Sequence, residues 1–509
     1  MHRRMLLILV LLMGLVAILA TGQESGGQLV VALESEPSTL DMHWSSLNYI
    51  RYIASHINEQ LFTQDAGFRA VPELAAGFNV SEDGRIYAIQ IREGVFFHNG
   101  QELVADDVVA SLERWLGRGA TGHIKNNVVS IAKSGKYEVT ITLLEPMGFL
   151  PTALAVRRKG AAIYPASVVE AAGTGDKITE YIGTGPYEFT EWVPGSHVLL
   201  SRYADYSSRT EEPNGYGGRK TAYLDEIKFV FVTEASVRAV GVQAGDYHFA
   251  MPIPNDDYDR IEANPDVISL LSAPRMMWIL LNAGEGALTN RKLRQAIQAA
   301  VDCEELLIGV FGDQQFWRLD SGIMWQETAW WTDAGASRYN SFDRDFARQL
   351  VAESGYAGEP IRMIVSAPEA LVLNGSIILE QQLKSIGLNI EAIEYDVATH
   401  RQVKKDPSMW EISVSDSTYR THPSLHIHLN KDWDGGWHNA AKEILVEALL
   451  TEQDQDAALA IWRAIENLYY DDVPIVKVGD FYDYIVYRKE VKGFAELPEL
   501  FFWNVWLED

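Results

Sequence analysis

Polar and apolar residues alternate through Tyr87, Ile89 and Ile91, the two-residue period of a half-buried strand, with turn residues Ser81, Asp83 and Gly84 before it and Gly94 after it. Val95, Phe96, Phe97 and His98 predict a second strand ended by a tight Asn99-Gly100 turn, and Ala105, Asp106, Asp107, Val108 and Ser111 predict the start of a capped helix. Short apolar runs predict further strands at 29–33, 278–282, 475–478 and 484–487, and Trp410, Ile412 and Val414 alternate in the same way. Helical spacing predicts helices near 49–61, 293–300, 346–354 and 377–386, the last stopped by Gly387. Ala273-Pro274 marks the strongest boundary, and the loops at 173–175 and 214–218 are rich in turn residues.

His2, Arg3 and Arg4 precede an apolar run from Met5 to Ala20, the layout of a secretory signal, with Ala20 and Gly22 placed as the −3 and −1 residues of a cleavage site. Removal at residue 22 and retention as an anchor both stay open, although the run is short for a span of about 20 residues. Cys303 is the one cysteine, so a lipid-bearing cysteine near the leader and an internal disulfide framework are both excluded. These features predict a diffusible periplasmic protein. The net charge of −27, from 43 Lys and Arg against 70 Asp and Glu, argues against a nucleic-acid partner. A length of 509 residues is enough for about three compact units.

The order of the Pro72 to Trp115 blocks resembles the family 5 extracytoplasmic solute-binding proteins of ABC importers, the dipeptide- and oligopeptide-binding family. Gly183-Thr184-Gly185-Pro186-Tyr187 with Trp192, Pro194 and Gly195 resembles a second family signature, and Tyr223 to Ile227 with Gly245-Asp246 a third. Asn290, Arg291, Leu293, Arg294 and Ala296 resemble a helix of the second lobe, and Phe502-Trp503-Asn504-Val505-Trp506 the ending of one branch. The resemblance implies an α/β, two-lobed periplasmic-binding-protein fold of the class II, cluster C type, with an extra subdomain in the first lobe and a ligand cleft between the lobes. On this chain it implies a leader at 1–22, lobe I at 23–274 with an inserted subdomain at about 62–180, lobe II at 275–480, and a return to lobe I at 481–509. The expected function is capture of a small solute, a di- or oligopeptide first, by hinge closure and its delivery to the transmembrane subunits of an ABC permease. A metal chelate, opine or sugar is the alternative within the family. No cofactor and no catalytic residue is implied, and the expected state is a monomer.

The resemblance points to Asp416 as the carboxylate that holds a peptide's α-ammonium, although the family's Asp-Pro pair appears here as His422-Pro423 with Tyr419 and Arg420 before it. A solvated turn aspartate is the alternative. Arg318 could receive a ligand carboxylate or belong to a structural ion pair. His43, Trp44, Trp278, Trp317, Trp330 and Trp331 are candidates to line the cleft, each with burial in a lobe core as its alternative. His422, His426, His428 and His438 could bind a transition metal, with His426 and His428 on one face if 424–429 is a strand; a loop cluster without metal is the alternative. Gly183-Thr184-Gly185 lacks the Lys and Ser/Thr of a phosphate loop and reads as a tight turn, and hydrolase signatures are missing, so a secreted hydrolase is the distant third reading.

Overall fold

The computed structural model describes residues 25–508 except 46, 121, 174, 419 and 453. The leader expected at 1–22 and the candidate Tyr419 therefore lie outside the described residues.

Gln28–Leu33 forms the middle of a seven-stranded sheet, parallel to Glu226–Phe231 on one side and to Phe249–Ile253 on the other. Both faces of this strand are covered, as expected of a parallel strand. Leu29, Val31 and Leu33 enter one apolar core and Ala32 another. His197–Arg202 and Tyr187–Val193 extend the sheet at one edge, and Tyr484–Arg488 and Val267–Leu271 at the other, all antiparallel to their neighbours.

Arg275–Leu281 organises the second sheet in the same way, pairing antiparallel with Ile412–Ser417 and with Ile475–Phe481. Met277, Ile279 and Leu281 face one core, while Met276, Trp278 and Leu280 face another rich in tryptophan. Ile361–Ser366, Ile390–Tyr395 and the short Trp317–Arg318 complete six strands. Helix Arg291–Ala300 starts at Asn290, whose side chain accepts from the Lys292 N–H at 3.0 Å.

A four-stranded antiparallel sheet, Ala75–Val80, Ile86–Ile91, Glu138–Leu143 and Val128–Gly135 in spatial order, packs on helix Ala105–Arg118. Tyr87, Ile89 and Ile91 point into that core with Val108, Leu112 and Trp115. The strand predicted at Val95 to His98 is instead reduced to a single bridge between Phe96 and Glu102. The Gly183-Thr184-Gly185 turn presses on helix Asn48–Ile57: a Cβ on Gly183 would stand 2.0 Å from the Ile57 carbonyl oxygen, and one on Gly185 2.3 Å from that of His56.

The chain passes between the two large sheets twice. It leaves the first at Leu271 and enters the second at Arg275; it leaves the second at Phe481 and re-enters the first at Tyr484. Among the described residues no helix is long and apolar enough to cross a membrane.

Candidate functional site

A cavity of about 1090 Å³ lies between the two large sheets, with the crossovers at its base. The side facing the first sheet carries Arg51, Tyr52 and Arg158, and the side facing the second carries Trp278, Lys404, Asp416 and Arg420. Helix Asn48–Ile57 sends Ile50, Ile53 and Ile57 into its core, which turns Arg51 toward the opening. Arg51 binds the Glu499 carboxylate at 2.6 Å, and Arg157 binds the other oxygen at 3.1 Å. Arg275 lies where the second sheet begins and pairs with both Asp416 and Asp483, the latter at 3.2 Å.

Burial pulls the Lys404 ammonium down to about 8, against the opposing pull of Asp416 and Glu369. Arg420 is likewise lowered, by burial first and then by Arg158 and Arg51. Deeper in the second lobe the wall is aromatic. Trp278 meets His428 edge-on at 4.5 Å between ring centroids, and His428 meets Trp433 at 4.9 Å. Trp278 Nε1, His426 Nδ1 and His428 Nε2 are buried and have no hydrogen-bond partner among the described residues. Burial holds the His428 imidazole down at about 3 and His426 well below its ordinary value, so both are neutral.

Comparison with known proteins identifies this arrangement. Residues 69–436 match the family described as bacterial extracellular solute-binding proteins, family 5 Middle. The chain belongs to this family. A probable peptide ABC transporter periplasmic-binding protein of Sinorhizobium fredii is 28% identical over 88% of each chain. The glutathione-binding protein GsiB of Escherichia coli is 25% identical over 95% of this chain and 94% of its own. The oligopeptide-binding protein AppA of Bacillus subtilis, solved with a nonapeptide, superposes with a TM-score of 0.77 at 21% identity, covering 96% of this chain and all of its own. The fold is thus the two-lobed α/β architecture of the family 5 periplasmic binding proteins, and the chain is a substrate-binding component of an ABC importer.

Of the residues singled out from sequence, this family 5 protein brings Asp416, Arg420 and Trp278 into the cavity wall. Arg318 lies outside it, held by Asp480 at 2.8 Å and by Glu327 at 2.7 Å, which is the structural ion pair that was its alternative. Trp317 is 3% exposed in a lobe core and donates to the Gly312 carbonyl at 3.1 Å. Trp330 packs on His422, and Trp331 donates to Asp320 at 2.9 Å. His43 is buried beside the Arg114–Asp41 pair, its Nε2 against the Ala162 carbonyl at 2.9 Å, and Trp44 lies under Arg118 at 4.2 Å. None of these six is among the residues that line the cavity.

The conditional strand at 424–429 is not formed. Two short 3-10 turns, Pro423–Leu425 and Ile427–Leu429, replace it, and they still bring His426 and His428 within 6.0 Å, ring to ring. Among the described residues no group of three or more His, Cys, Asp or Glu converges as a metal site. Arg51, Arg158 and Lys404 were missed from sequence. Each looks like an ordinary surface cation until the fold turns it into the cavity.

Proposed function

We propose that this protein is the periplasmic receptor of an ABC importer that captures a di- or oligopeptide between its lobes, closes on it about the two crossovers, and presents it to the transmembrane permease. The observation that carries this reading is the cavity of about 1090 Å³ walled by both lobes, since a ligand in contact with both stabilises their closure by its differential affinity for the closed form. The size suits a short peptide. The names of the relatives, a probable peptide carrier and a glutathione-binding protein, support the peptide part. In this reading lobe I is 23–274 with a subdomain at about 62–180, lobe II is 275–480, and 481–509 returns to lobe I. The leader at 1–22 is removed on secretion, and the mature chain acts as a monomer by binding, without turnover and without nucleic acid.

Asp416, Arg420 and Trp278 are proposed ligand contacts. Trp278 supplies a flat apolar face and an unpartnered indole N–H at the cavity wall. Native mass spectrometry of the mature protein from its host, followed by denaturation, tests the reading. Release of a peptide is the expected result. Release of a sugar or an opine would replace the peptide part and keep the receptor role. No ligand-dependent stabilisation across a broad panel of solutes would remove both.

A metal chelate is the second reading, favoured by the unpartnered nitrogens of His426 and His428. With two imidazoles at hand, the chelator itself would supply most of the donor atoms. Elemental analysis of the protein from its host decides it.

A further inference from the structure

The cavity inverts the charge of the chain. Against a net −27 overall, its wall carries Arg51, Arg157, Arg158 and Lys159 from the first lobe and Arg275, Arg401, Lys404, Lys405 and Arg420 from the second. Only four carboxylates accompany them: Asp416, Asp434, Asp483 and Glu499. Three of the four are already engaged, Glu499 by Arg51 and Arg157, and Asp416 and Asp483 by Arg275. Asp434 is exposed. Arg158, Lys159, Arg401 and Lys405 make no side-chain hydrogen bond or ion pair among the described residues, and Lys404 bonds only to the Ser415 hydroxyl, at 3.1 Å.

The excess gathers at one place. Arg275, Arg158, Lys404 and Arg420 all feel the field of Asp416, a single carboxylate already bound to the first of them. Arg158 comes from the first lobe and the other three from the second, so the lobes present like charge to each other across the opening. A peptide α-ammonium placed at Asp416 would be a fifth cation in this group. It would share the Asp416 carboxylate with Arg275, which already holds one of its oxygens.

We infer that the cleft selects an anionic solute with at least two acid groups, such as an acidic peptide, and that the bound acid groups draw the lobes together by neutralising the cations around Asp416. This rests on the receptor reading above and names the substrate class for it. Guanidinium forks from opposite lobes suit carboxylates, which accept two parallel N–H bonds from each. In a cavity with low-dielectric walls the field of such a group is focused, and it weakens as salt is added.

Titration calorimetry on the full mature chain, stripped of ligand by unfolding and refolding, tests the inference with four probes: triglutamate, trialanine, trilysine and the non-peptide citrate. Triglutamate is expected to bind at least about tenfold more tightly than trialanine, with trilysine unbound and the preference shrinking as salt is raised. Arg158→Gln is expected to weaken triglutamate by about tenfold, the worth of one charge-assisted hydrogen bond, with the melting temperature unchanged. Trialanine or trilysine binding as well as triglutamate would overturn the inference while leaving the peptide receptor standing. Citrate binding in the absence of any tripeptide would keep the anionic cleft and remove the peptide reading. Binding of neither acidic probe would overturn the inference.

Discussion

Ser272 and Asp483 join the two crossovers into one unit. The Ser272 N–H donates to the Asp483 carbonyl at 2.8 Å, and the Asp483 N–H donates back to the Ser272 hydroxyl at 3.0 Å. Each residue lies in one of the two segments that pass between the sheets, so a rotation of one lobe carries both segments together. Ser272→Ala removes the acceptor for the Asp483 N–H and is expected to cost about 1 kcal/mol of stability, measured by urea unfolding. An unchanged unfolding midpoint would show that water at the cavity base replaces the hydroxyl.

Lys220 sits under 4% exposure between two buried carboxylates, Glu59 at 3.1 Å and Glu73, with its ammonium 4.6 Å from the Trp503 ring centre. Replacing it by methionine keeps the apolar stem but leaves both acids uncompensated. Lys220→Met is therefore expected to destabilise the protein by about 3–5 kcal/mol near neutral pH. Burial already raises the Glu73 pKa, and loss of Lys220 raises it further. A raised folded-state pKa gives stability that is present below the unfolded value and lost as pH rises, so the variant should approach the parent in mildly acidic buffer. Equal losses at both pH values would show that the packing, not the charge, dominates.

Glu466 supplies a separate pH dependence. Its carboxyl is fully buried in the second lobe, accepts from the Ile323 N–H at 2.7 Å, and is pushed by burial up to about 7. Protonation thus accompanies folding: the contribution is complete below the unfolded value near 4.5 and disappears as pH rises through about 7. Stability should fall by up to about 3 kcal/mol between mildly acidic and mildly alkaline buffer on this account. Glu466→Gln keeps an acceptor for Ile323 and is expected to flatten that slope in urea titrations. A slope that survives the substitution would assign it to other groups.

Strands were legible in the sequence where one face met solvent or where a run was wholly apolar. Tyr87, Ile89 and Ile91 show the two-residue period because Ile86, Ala88 and Gln90 face away from the core, and Gln28–Leu33 reads as a run because two cores take its alternate residues. The cleft was not legible in the same way. Arg158 and Lys404 are 246 positions apart and line one cavity only because the two sheets face each other across the crossovers. Arg318 stayed open between ligand contact and structural ion pair for the complementary reason: its flanking aromatics suggested a binding wall, while its partner Asp480 lies 162 positions away and could not be seen from local sequence. Asp416 is the mixed case, because the strand that carries it is periodic but Arg275, 141 positions earlier, decides what its carboxylate can do.

Lys404 gives the cleft a pH-sensitive charge near the physiological range. Asp416 and Glu369 act on it favourably, His400 and His428 are the imidazoles near it, and burial outweighs the carboxylates to bring it to about 8. In the free protein a folded-state pKa below the unfolded value means that the unfolded chain binds more protons between about 8 and the ordinary lysine value, so this group makes the empty protein more stable as pH rises through that window. Ligand binding has the opposite sign. An acid group beside Lys404 favours the ammonium, so it raises the pKa and takes up a proton when the complex forms near or above about pH 8. Affinity for N-acetylated triglutamate, which has no α-amine to titrate, should be flat below about pH 7 and fall by about three- to tenfold by about pH 9, with calorimetric heats that depend on the buffer's ionisation enthalpy. Lys404→Arg keeps the charge at every pH used and is expected to abolish both the fall and the proton uptake, whereas Lys404→Gln should bind more weakly throughout and also show neither. A parent protein whose affinity holds level to about pH 9 would place Lys404 outside the contact with the acid group, because a lysine titrating beside a bound carboxylate must couple to it.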